Sequence, residues 1–217
     1  MITGTAWARA WFALTGLAVL AGLGIQTWGT SRLTSGHFAT PLTRTLNLFF
    51  FFTIESNILL MVTCLLLAAR LTRQGTLFAV LRLAGMVGIT ITGIVYYAVL
   101  KDLLDLHGAA YISDVLLHTV SPLMAVAGWL LFGPRRLTSP KTAGLVVIYP
   151  LLYLSVTLIR GPIVHWYPYP FLDVITHGYL TVAINSLIVA TLVLAVAFGA
   201  WTLDGRLASL PRRPHQR

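Results

Sequence analysis

Six stretches of this chain, approximately 8–28, 46–69, 78–100, 114–133, 143–159 and 175–202, are each long and apolar enough to cross a bilayer, and little sequence lies between them. A spanning helix needs roughly 20 mostly apolar residues. In hydrocarbon only helices or closed barrels satisfy every backbone N–H and C=O. The pattern leaves no room for a soluble domain and predicts an all-α polytopic membrane protein with six transmembrane helices. The helical domain is expected over 1–204, with a basic tail over 205–217. Hydrophobic residues make up 57% of the 217 and charged residues 10%, as that reading requires. Arg9 followed by an apolar centre resembles a signal peptide, but no small-residue cleavage pattern follows, so an uncleaved first helix is expected. The single cysteine, Cys64, falls inside a stretch and implies neither a disulfide nor a zinc knuckle.

The net charge of +9 invites a nucleic-acid reading, which the distribution of charge opposes. Arg9, Arg70, Arg73, Arg82, Arg135, Arg136, Lys141, Arg206, Arg212, Arg213 and Arg217 fall on one side of a six-helix topology, and Arg32, Arg44, Lys101 and Arg160 on the other. That asymmetry follows the positive-inside rule and predicts an integral membrane protein with both termini cytoplasmic. The basic tail then reads as a topology signal and a contact for anionic lipid.

With this orientation the helices that begin near residues 46, 114 and 175 enter from the outer side. Thr53, Glu55 and Asn57 are then expected to share a depth zone with Asp114 and His118, and with Asp173 and His177. A helix from residue 46 puts Thr53 on the order of 10–13 Å below its outer end. Glu55, Asp114 and Asp173 are equally spaced along the chain, and "DVLLHT" at 114–119 resembles "DVITHG" at 173–178. Equal hairpin lengths explain this as well as a triplication does. Isolated Ser and Thr residues commonly serve as packing contacts between membrane helices. Ionisable groups within spans are costly, and several in one zone predict a functional cavity.

Helical phase sorts these residues. Thr53, Ser56 and Asn57 share a face, while Glu55 points about 200° away from Thr53. Asp114, His118 and Ser121 form a stripe, and Pro122 leaves the carbonyl of His118 without its helical donor. Asp173, His177, Thr181 and Asn185 form another stripe, and Thr90, Gly93, Tyr97 and Lys101 a third. The segment "RGPIVHWYPYPFLD", residues 160–173, is too proline-rich for regular helix. Its aromatic residues suit a headgroup belt or, alternatively, a stiff cap in which Arg160 meets a carboxylate or headgroup.

Two catalytic arrangements fit. In one, Thr53 is a nucleophile and His118 its base, with Asp114 orienting the imidazole and Asn57 or a loosened backbone amide donating to an oxyanion. In the other, Asp114, His118, Asp173 and His177 bind a metal and Glu55 activates a bound water. A competing class is a small ion- or proton-coupled transporter or sensor in which Glu55, His118 and His177 relay protons or hold an ion. A scaffolding membrane protein is the third class.

"FFFFTIESN", "LLHTVSPL" and "WYPYPF" resemble the membrane family of androgen-induced gene 1 and the androgen-dependent TFPI-regulating protein, in particular its bacterial relatives. The resemblance runs over most of the six-span core. It implies a six-helix threonine hydrolase of fatty acid esters of hydroxy fatty acids, with the family's threonine at Thr53 and its histidine at His118. The family's Trp-Val-Tyr-Pro turn is echoed by Trp166, Tyr167 and Pro168. Glu55, Asp173 and His177 have no counterpart in the animal members, and Asp114 stands where Asn is expected. The expected substrate contacts are Tyr97, Arg160, Trp166 and Tyr167, with Asp114, Asn57, Glu55, His177 and Asp173 in support. No cofactor is expected. The expected partners are the membrane and a lipid substrate drawn from it, with no nucleic acid and no assigned oligomeric state.

Overall fold

The computed structural model describes residues 2–103 and 105–209. Six of its helices are long and apolar enough to cross a membrane: Gly4–Arg32, Phe52–Ala69, Thr76–Leu103, Gly108–Phe132, Pro140–Val164 and Val174–Ser209. They are called here the first to sixth spans. This is the all-α architecture of an integral membrane protein. Residues 205–209, expected in the tail, continue the sixth span, while Arg212, Arg213 and Arg217 lie outside the described residues. The third span is the most buried of the six. Its Val87, Ile89 and Ile91 are almost fully enclosed; the second, fourth, fifth and sixth spans pack against it, and the first packs on the second and fourth.

The second span departs from the expected helix over 46–69. A short helix, Pro41–Asn47, starts on a Thr40–Thr43 capping box with Pro41 in its first turn. A 3-10 turn over Leu48–Phe50 follows, and extended backbone at Phe51 breaks the helix before it restarts at Phe52. The break has partners. The Phe51 ring packs edge-on against Trp166 and Tyr169, and the freed Phe50 carbonyl accepts from the Tyr153 hydroxyl at 3.1 Å. Thr53 therefore lies in the first turn of its helix, not two turns below its end.

The third and fourth spans each contain a five-residue π-helical turn, Tyr96–Leu100 and Leu116–Val120. The second ends just before Ser121 and Pro122, where the missing proline N–H cannot serve the His118 carbonyl and a wider turn accommodates the ring. Gly93 lets the two spans meet there: a Cβ at Gly93 would lie 3.2 Å from the Pro122 ring and 3.6 Å from the His118 carbonyl oxygen.

The sixth span is capped by Asp173. One carboxylate oxygen accepts from the backbone N–H groups of Ile175 and Thr176 at 2.9 and 3.2 Å, and the other from the Thr176 hydroxyl at 2.7 Å. Burial alone would raise the Asp173 pKa, but these hydrogen bonds outweigh it and hold the carboxyl below the usual carboxylate range. A depressed folded-state pKa gives stability that is present above the unfolded value, near 3.9, and lost as pH falls through the folded value. Asp173→Ala is expected to cost about 1 kcal/mol at pH 7. Thermal unfolding in detergent should show the gap between variant and parent closing as the pH falls below the carboxylate range. A gap independent of pH would mean that the cap contributes nothing as an ion.

Candidate functional site

The two residues expected to carry chemistry sit in neighbouring but distinct surroundings. Thr53 is buried. Its backbone N–H, one of the donors a helix start leaves without a helical acceptor, donates to the Tyr169 hydroxyl at 3.1 Å. The Thr53 side-chain oxygen lies 3.2 Å from the same hydroxyl. Thr53 also forms part of the wall of a cavity of about 90 Å³ between the second, third, fifth and sixth spans. That cavity is otherwise apolar apart from Tyr153, Tyr169 and Ser186.

His118 belongs to a second cluster. Its Nδ1 is 2.9 Å from one oxygen of Asp114, and the Tyr96 hydroxyl donates to the other oxygen at 2.5 Å. The Tyr96 ring stacks on the imidazole with centroids 4.3 Å apart. An ionised carboxylate only accepts, so Nδ1 carries the proton in this arrangement and Nε2 keeps its lone pair. The π-helical turns of the two spans bring these groups together.

Asn57 joins the two halves. Fully buried, it donates through Nδ2 to the carbonyls of Thr53 and Leu117 at 2.9 and 3.2 Å. Both amide hydrogens are thereby committed, and the atom left without a partner is the acceptor Oδ1. This corrects the expectation that Asn57 donates to an oxyanion. Among the described residues no hydrogen bond joins the Thr53 hydroxyl to the His118 ring; each has partners of its own.

The remaining expected residues scatter. Glu55 faces a separate groove between the second, third and fifth spans. His177 is exposed, and the left-handed backbone at Gly178 (φ 74°) breaks the expected stripe from Asp173 to Asn185. Asn185 instead donates to the Phe171 carbonyl. The alternative metal set of Asp114, His118, Asp173 and His177 does not assemble: among the described residues no three His, Cys, Asp or Glu side chains converge. Asp173 is occupied as a helix cap, although "DVITHG" reads so much like "DVLLHT". A relay through Glu55, His118 and His177 meets the same obstacle, since the three face different surroundings.

Of the expected substrate contacts, Tyr97 is exposed, and its hydroxyl pairs with that of Thr119 at 2.8 Å. The Arg160 guanidinium lies 3.9 Å over the Phe50 ring and donates to Asn47 Oδ1 at 2.8 Å, so it secures the start of the second span. Trp166 packs against Phe38 and Phe51. Tyr167 is buried, with its hydroxyl unpartnered. The aromatic segment thus behaves more as an inward fold than as a belt, and Tyr169 is the residue that reaches Thr53. Sequence reasoning missed Tyr169 and Tyr96. Tyr96 carried a usable signal, lying three residues after Gly93 on the face turned to the fourth span.

Comparisons with protein families, with curated proteins and with solved structures find no match for this chain.

Proposed function

We propose that this chain is an intramembrane hydrolase of lipid esters, with Thr53 as nucleophile and His118 as base. The observation that carries the reading is a buried threonine hydroxyl on the wall of an otherwise apolar cavity inside a membrane bundle. Such a wall suits an acyl chain and presents one oxygen nucleophile to its ester. The Asp114–His118 pair supports the second role, because a carboxylate on Nδ1 leaves Nε2 free to take a proton. The resemblance to the threonine hydrolases supplies the same pair. The substrate class would be fatty acid esters of hydroxy fatty acids or similar lipids.

In the proposed cycle Thr53 Oγ attacks the ester carbonyl as its proton passes to His118 Nε2. The C–O bond to the leaving group then breaks, and the departing alkoxide takes that proton. Water, deprotonated by His118, next attacks the acyl-threonine, releasing a carboxylic acid and restoring the hydroxyl. The Tyr169 hydroxyl replaces Asn57 as the donor for the oxyanion, since a phenol is protonated at neutral pH and already sits beside Thr53. Catalytic contacts often tighten only with substrate bound. Here the imidazole must turn toward Thr53 from its place in the π-helical turn at Leu116–Val120. The positive-inside distribution would place the cavity in the outer half of a bacterial plasma membrane, with both termini cytoplasmic.

A fluorophosphonate probe tests the assignment directly. Purified protein should form one covalent adduct, and peptide mapping should locate it on Thr53. An adduct on another hydroxyl, or none under conditions of ester turnover, would overturn the assignment.

A further inference from the structure

A separate recess of the molecule does not include Thr53. It is an open-sided groove of about 710 Å³ between the second, third and fifth spans. Its rim includes Leu77, Ile148 and Leu152, all exposed on apolar spans, so its open side faces lipid. A volume of this order matches pockets that hold drug-sized molecules, roughly 300–1,000 Å³. Glu55 is the only charged residue lining it among the described residues.

That carboxyl, in the first turn of the second span, sits level with the middle of the third and fifth spans. Its neighbour Ser56 shares a hydrogen bond of 3.0 Å with Tyr149, and a Cβ at Gly88 would run into the Ser56 hydroxyl. Both Gly88 and Tyr149 fall in the interior of their spans. Glu55 lines the groove together with Tyr149, whose hydroxyl is shared with Ser56. A carboxyl among hydrocarbon stays ionised only beside a cation or strong hydrogen-bond donors and otherwise takes up a proton, and no Lys, Arg or His lines the groove, so the place of a cation is open to a ligand. Tyr149 contributes an aromatic wall, stacked on Phe52 with centroids 4.9 Å apart, and ring faces attract cations.

We infer that the groove between the second, third and fifth spans is a binding site for a lipophilic organic cation, such as a hydrophobic amine or quaternary onium, whose charge is neutralised by Glu55. The apolar lining takes the hydrophobic body, and the carboxylate selects for positive charge. Neutral lipids of the same size lack that complement. The site is separate from Thr53, so it stands whether or not the chain is a hydrolase.

Tetraphenylphosphonium is a suitable probe because it enters membranes and carries a fixed charge. Purified full-length protein in detergent should bind it saturably. Glu55→Gln should weaken binding by at least about tenfold, and Thr53→Val should leave it unchanged. If Glu55→Gln does not purify as a folded protein, the parent protein provides the test: the cation should slow modification of Glu55 by a hydrophobic carbodiimide. Unsaturable binding, equal affinity in the glutamine variant, or no protection from carbodiimide would each overturn the proposal. Phospholipid that stays in the groove and resists displacement by the cation would also overturn it, in favour of an acyl chain as occupant.

Discussion

Ester turnover by Thr53→Val is expected to fall to background, and His118→Ala is expected to lower kcat/KM by about 10²–10⁴-fold, the usual contribution of a general base. Valine keeps the shape of threonine and the backbone hydrogen bond to Tyr169, removing only the hydroxyl. Loss of activity with intact folding would then belong to the missing oxygen. Thr53→Ser should retain turnover. The double variant should be no worse than Thr53→Val alone, because residues that act as a unit are not additive. Hydrolysis of a chromogenic acyl ester in detergent gives the rates.

Asp114→Asn extends the same test. An amide cannot accept from both Tyr96 and Nδ1 as the carboxylate does, and it lets the imidazole adopt the other tautomer. A loss comparable to that of His118→Ala would mark Asp114 as the positioning residue for the ring. Tyr96→Phe removes one donor to the carboxylate and keeps the stacked ring, so it should produce the smaller effect. Full activity in folded Thr53→Val would sink the threonine mechanism and leave the Tyr96–Asp114–His118 cluster in need of another role.

The spans were legible in the sequence because hydropathy over twenty residues is a local property. The breaks were not, since each depends on a partner far along the chain. Phe51 leaves the helix because Trp166 and Tyr169 receive its ring and the Tyr153 hydroxyl donates to the Phe50 carbonyl. Counting at 100° per residue separated Thr53 from Glu55 correctly, and the two face different recesses. It failed on the sixth span, where Gly178 resets the phase, and it treated two similar Asp-x-x-x-His sequences as equivalent. At the first of them Asp114 meets a histidine and a tyrosine within the bundle. At the second, Asp173 stands before the first turn and satisfies backbone donors instead. Tyrosines were undervalued because their spacing carries no motif, yet Tyr96, Tyr149, Tyr153 and Tyr169 supply much of the polar contact between spans.

The largest stability effect is expected at the opposite end of the bundle, from Arg82→Met. Arg82 is buried in the third span, where its guanidinium donates to the carbonyls of Gly133 and Pro134 at 2.6 and 3.1 Å. Asp204 of the sixth span, also buried, lies within electrostatic reach of it. That carboxylate accepts from the Thr138 backbone N–H at 3.3 Å, and Arg135 stands 3.9 Å from its other oxygen. One cation thus ties the third span to the loop after the fourth. Methionine fills the volume but leaves the two buried carbonyls without donors. Losing a charged donor that serves two buried carbonyls costs about 3–6 kcal/mol, at roughly 1.5–3 kcal/mol for each hydrogen bond, and denaturant titration in detergent should show a loss of that size. A loss in the single variant under about 1 kcal/mol would mean that Arg82 behaves as a solvated surface charge, and that water rather than protein serves the carbonyls of Gly133 and Pro134.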